Sequence, residues 1–95
     1  MGLVFLTMKT YKFIEDPGHG WLEVPRQEID SLGIAAKITP YSYQKGEMVY
    51  LEEDCDMFTF YQAKKDKGEV HRKDWDWERD YQQNTPIRDY HSYQK

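Results

Sequence analysis

Between Glu47 and Lys67 the spacing of apolar residues changes from about two to about four, which predicts a strand followed directly by a helix. Glu47-Met48-Val49-Tyr50-Leu51 alternates loosely and carries Val and Tyr, residues that suit a pleated, half-buried surface. Four carboxylates then intervene: Glu52, Glu53, Asp54 and Asp56. Beyond them Met57, Phe58 and Tyr61 recur at helical spacing, and the long stems of Lys64 and Lys65 extend that stripe. Lys64, Lys65 and Lys67 fall in the last turn, with Gly68 as the stop. Acid at the front and base at the back complement the helix dipole. The predicted helix runs from Cys55 to Lys67, with Asp54 or Asp56 as its cap, a contribution of roughly 0.5–2 kcal/mol.

The rest of the chain is punctuated by turn residues. Thr10–Ile14 and Trp21–Val24 alternate on either side of Glu15-Asp16-Pro17-Gly18-His19-Gly20, which predicts a hairpin. Pro25 suits a first helical position, Ile29 and Leu32 share a face, and Gly33 ends that short helix. Pro40 keeps the Ile34–Thr39 connector from continuing as helix. Tyr41–Tyr43 and Met48–Leu51 flank Gln44-Lys45-Gly46-Glu47 as a second hairpin. The order strand, strand, helix thus occurs twice. Glu69–Trp77 alternates almost strictly and predicts a strand, Glu78–Thr85 reads as a loop, and Pro86 opens a last strand over Ile87–Tyr93. The expected fold class is α+β: one small antiparallel sheet with two helices packed on one face.

Size and charge narrow the function. Ninety-five residues make one domain, expected over 8–95, with residues 1–7 as an extension. Those seven are too few to span a bilayer and lack a basic leader, so a soluble, cytoplasmic protein without membrane contact is expected. One cysteine excludes an internal disulfide. A net charge of −4 argues against direct nucleic-acid binding, which relies on Lys and Arg neutralising phosphates. His19, His71, His91 and Cys55 match no metal-ligand spacing, and no cofactor motif is present, so neither metal nor cofactor is expected. His19 sits in a glycine-flanked turn whose amides suit an anion, although a tight turn alone explains the same residues. Cys55 among carboxylates is expected to be buried and inert.

Two features suggest contact surfaces. Glu47, Glu52, Glu53, Asp54 and Asp56 lie within ten residues with no base among them, more acid than one helix end needs. Trp75 and Trp77, with Tyr81, Tyr90 and Tyr93, form an aromatic set interleaved by acids that repel phosphates, which favours a core or a protein contact.

The strings Asp16-Pro17-Gly18-His19-Gly20-Trp21-Leu22-Glu23-Val24, Tyr41-Ser42-Tyr43, Tyr50-Leu51-Glu52-Glu53-Asp54-Cys55-Asp56 and Ile87-Arg88-Asp89-Tyr90 resemble a group of short uncharacterised proteins of phages, plasmids and related mobile elements. The likeness covers most of the chain from Met8 onward. It implies accessory or host-manipulation roles and no mechanism. The expectation is a non-enzymatic protein that binds a basic host or phage partner through Glu47, Glu52, Glu53, Asp54, Asp56, Trp75 and Trp77. An inhibitor of a nucleic-acid-binding defence enzyme would fit, since carboxylates can occupy a groove made for phosphates. The alternatives are a minimal metal-dependent hydrolase or nuclease built on the acids and His19, and a structural subunit of an oligomer.

Overall fold

The computed structural model describes residues 11–68 and 77–94. Six strands form one sheet: β1 (Tyr11–Glu15), β2 (Gly20–Pro25), β3 (Tyr43–Lys45), β4 (Met48–Glu52), β5 (Trp77–Tyr81) and β6 (His91–Ser92). Their spatial order is β5-β1-β2-β4-β3-β6. Two α-helices, α1 (Arg26–Ser31) and α2 (Asp56–Asp66), lie on one face, so the α+β class and the helix placement are as expected. Among the described residues no helix is long and apolar enough to cross a membrane.

Period-two alternation sorts the strands into two faces. Tyr11 and Phe13 of β1, Leu22 and Val24 of β2, and Val49 and Leu51 of β4 point toward the helices. There they meet Ile29 of α1 and Phe60 of α2, both fully buried, and Tyr93 from the C-terminal end. Ile14, Trp21 and Tyr50 point the other way and are covered by Ile87, with Tyr43, Met48 and Tyr90 at the margin. A single 3-10 turn, Pro86–Asp89, therefore roofs the face that the helices leave open.

The sheet is mixed where the sequence suggested an antiparallel one. β1 and β2, β2 and β4, β3 and β4, and β3 and β6 pair antiparallel, but β5 runs parallel to β1, with Tyr11 opposite Trp77. From these pairings β4 and β5 point the same way, as do β2 and β3. Each helix thus carries the chain between two strands of equal direction, which a tight hairpin cannot do.

Two further expectations change, and two others fall on residues that are not described. The strand over 69–77 lies outside the described residues except for Trp77, and the loop expected from Glu78 onward begins instead as β5. β5 is an edge strand with Glu78, Arg79 and Tyr81 exposed, so it carries no apolar alternation to announce it. The strand expected over Ile87–Tyr93 is the 3-10 turn followed by the two-residue β6. Pro86 sits at its start, where a missing N–H costs nothing. The expected extension over residues 1–7 lies outside the described residues.

Both hairpins depend on glycine. In the second, Lys45 pairs with Met48 and leaves Gly46-Glu47 as a two-residue loop. Gly46 has φ 58° and among the described residues no non-glycine residue has positive φ, the pattern of a II′ turn with glycine leading. In the first, Gly20 pairs with Glu15 beneath the buried Phe13 ring. A Cβ at Gly20 would stand 2.5 Å from Phe13 Cζ. Gly20→Ala is therefore expected to cost about 2 kcal/mol by overpacking. Urea unfolding checks this, and a change below about 0.5 kcal/mol would show that the ring simply swings aside.

Candidate functional site

β4 ends and α2 begins at the acidic stretch, and the geometry divides those acids sharply. Asp56 is the first residue of α2 and is 1% exposed. Its Oδ2 accepts from the Thr39 backbone N–H at 3.0 Å, the Thr39 hydroxyl at 2.7 Å and the Ser42 hydroxyl at 2.6 Å. Ser42 Oγ in turn accepts from the Glu52 N–H at 2.9 Å. One carboxylate thus ties the connector, the end of β4 and the start of α2 into a single network. It is not the cap that the sequence suggested. Cys55 occupies the cap position, and no side chain, from Asp54 or Asp56, bonds to the first amides.

The other acids spread over the surface. Glu47 lies in the hairpin loop, with β4 between it and Glu52, a separation of roughly 17 Å. Glu52 is largely covered. Its Oε1 accepts from the Asp54 N–H at 3.1 Å, and its Oε2 lies 3.9 Å from His19 Nδ1. Burial, and then the charge of Asp54, raises its carboxyl pKa. Glu53 and Asp54 are exposed, and the Glu53 N–H bonds to the Gly20 carbonyl at 3.0 Å, joining this end to the first hairpin.

The structure also changes the reading of two neighbours. Cys55 is exposed rather than buried. Its thiol pKa is still raised, by partial desolvation and by the Asp56 charge, so the reactive thiolate is disfavoured. His19 offers no open nest, because Asp16 Oδ1 already accepts the Gly18 and His19 amides, each at 2.9 Å. The anion in that turn is the chain's own carboxylate. Among the described residues no three His, Cys, Asp or Glu side chains converge as a cation set.

Tyr81, Tyr90 and Tyr93 do not share one face. Tyr93 is buried in the first core, with its hydroxyl on the Ala35 carbonyl at 2.8 Å, and Tyr90 packs on the second. Trp75 lies outside the described residues, and Trp77 opens β5. Among the described residues the exposed large apolar side chains are Tyr41 at 74%, Phe58 at 64% and Tyr81 at 59%. Phe58 had read as part of the inward stripe. The buried positions of α2 are Asp56, Phe60 and Lys64, a phase in which Phe58 faces out. Tyr41 sits at the same end, its N–H on Thr39 Oγ1 at 3.2 Å, in the loop that Asp56 holds.

Sequence reasoning missed Asp16 and Arg88 as a pair. Arg88 donates through Nε and Nη2 to both Asp16 oxygens, at 2.7 and 3.0 Å, across a separation of 72 residues. The resembling strings contain both residues, but no local signal joins them. No protein-family model, curated protein or solved structure matches the chain.

Proposed function

We propose that the chain is a non-enzymatic accessory protein that binds a basic partner protein through the acidic and aromatic end of α2. The observation that carries this reading is the pairing of two exposed aromatics, Phe58 and Tyr41, with the exposed carboxylates Glu53 and Asp54. Large apolar side chains left in water beside charges suit a contact patch with an apolar centre and a polar rim. The buried Asp56 network fixes the backbone beneath them, which lowers the ordering cost of association. Glu47 stands too far away to share the surface, and Asp56 is buried within it, so the acidic contribution narrows to Glu53 and Asp54 with Glu52 at the margin.

The partner's complement is a basic surface with an apolar depression. A phosphate-binding groove of a host defence enzyme has that chemistry, and the resemblance to mobile-element proteins supports a cytoplasmic role of this kind. Capture from a host lysate, followed by association rates across a salt series, tests the reading. The Glu53→Lys, Asp54→Lys double variant is expected to slow association about tenfold at low salt, with the difference shrinking as salt rises. Salt-insensitive association at wild-type rates would show these carboxylates to be merely solvated.

A further inference from the structure

The stripe that α2 buries is Asp56, Phe60 and Lys64, each about one turn from the next. Two of the three are charged, and each charge is met by a different part of the chain. Asp56 holds the Thr39 and Ser42 groups of the connector at the start of the helix. Near the other end the Lys64 ammonium lies 2.6 Å from Glu28 Oε2 of α1. Glu28 also accepts the Tyr11 hydroxyl of β1 on its two oxygens, at 2.8 and 3.0 Å. Lys64 is buried and the Glu28 side chain nearly so. An ion pair taken out of water gains little over well-packed apolar side chains, whereas breaking it strands a charge. Such a pair penalises other arrangements more than it stabilises its own.

Another arrangement is written into the same helix. Met57, Phe58 and Tyr61 form a second apolar stripe, centred roughly 110° around the axis from the first. The two are close in apolar content. Phe60 has Met57 and Ala63 beside it, while Phe58 has Met57 and Tyr61. Turning the second stripe to the sheet would bury Phe58, carry Asp56 to the outer side and Lys64 to the rim, and break both charged contacts. Apolar burial does not separate the two phases. The charges do.

We propose that the Asp56 and Lys64 contacts are latches that select the phase of α2, holding Phe58 outward against a competing phase that hides it. Asp56, Lys64 and Glu28 are then positioning residues for the contact surface, and α2 is a two-position element that turns when a latch is lost. The link to binding rests on the Phe58 surface proposed above. The phase of α2 is measured without a partner, so either can fail alone.

The test is nuclear magnetic resonance of the isotope-labelled full chain with a soluble paramagnetic agent. Glu28→Gln leaves an oxygen for the Tyr11 hydroxyl but no carboxylate for Lys64. It is expected to show a second set of α2 resonances, about a tenth or more of the signal. In that set the Phe58 ring is shielded from the agent and gains Overhauser contacts with methyl groups of Leu22, Val24, Val49 or Leu51. Two further variants are expected to restore the single outward phase. Glu28→Gln with Lys64→Met completes the first stripe with an apolar side chain, and Glu28→Gln with Phe58→Ser removes the core of the second. One set of resonances in Glu28→Gln with Phe58 as accessible as in wild type would overturn the proposal. So would a second set in which Phe58 stays exposed, its persistence in either double variant, or outright unfolding of Glu28→Gln, which would show that the pair carries stability and not phase.

Discussion

Replacing Asp56 by alanine is expected to lower the unfolding free energy by roughly 3–4 kcal/mol. The variant leaves the Thr39 amide, the Thr39 hydroxyl and the Ser42 hydroxyl without their common acceptor. Hydrogen bonds to a charged group are the stronger kind, and a buried donor left unpaired adds its desolvation cost. Part of the loss is recovered because Thr39 lies near the surface, where water can reach it. Asp56→Asn keeps the shape but presents an amide to three donors, so an intermediate loss is expected. Asp54→Ala, at an exposed side chain that caps nothing, is expected to stay within about 0.5 kcal/mol. Urea unfolding of the three variants at equal slope decides this. Small and equal losses at Asp54 and Asp56 would contradict the role assigned to the buried carboxylate.

The second large effect concerns acid. Asp16→Ala is expected to cost about 2 kcal/mol at neutral pH, because it removes the acceptor of two turn amides and of Arg88 together. The Arg88 guanidinium and the two turn amides hold the Asp16 carboxyl well below the usual carboxylate range, against the opposing effect of burial. In the unfolded chain the same carboxyl titrates near its ordinary value of about 3.9. Its contribution is therefore complete above that value and is lost as pH falls through and below it, because the unfolded chain takes the proton first. Wild type should lose stability more steeply than Asp16→Asn between about pH 5 and pH 2. Parallel pH profiles for the two proteins would show that Asp16 is not held in this way.

The parts of the fold legible in the sequence are those set by neighbouring residues. Both hairpins and both helices follow from alternation, prolines and glycine stops, and their observed bounds shift by only a residue or two. β5 was hidden because Glu78-Arg79-Asp80 at its centre is charged and lies on an open edge, and its partner β1 lies near the other end of the described chain. The phase of α2 was misread for a related reason. Its buried stripe includes Asp56 and Lys64, so apolarity alone points to Phe58 instead of Phe60. Lys64 is tolerated inside because Glu28 of α1 lies 2.6 Å from its ammonium. Asp56 read as a cap because a carboxylate at a helix start usually is one. Its burial depends on Thr39 and Ser42, whose approach is a tertiary event without a local signature. The same holds for Asp16 and Arg88, which meet only once the 3-10 turn closes over the second face.

The contact surface itself is tested most directly by the footprint of a captured partner on the labelled chain. Resonances of residues 39–42 and 53–58 are expected to shift on complex formation, with Phe58→Ser weakening the complex by about tenfold or more. Shifts confined to Trp77–Tyr81 or to residues 83–89, with residues 53–58 unchanged, would contradict the assignment of the contact to the acidic and aromatic end of α2.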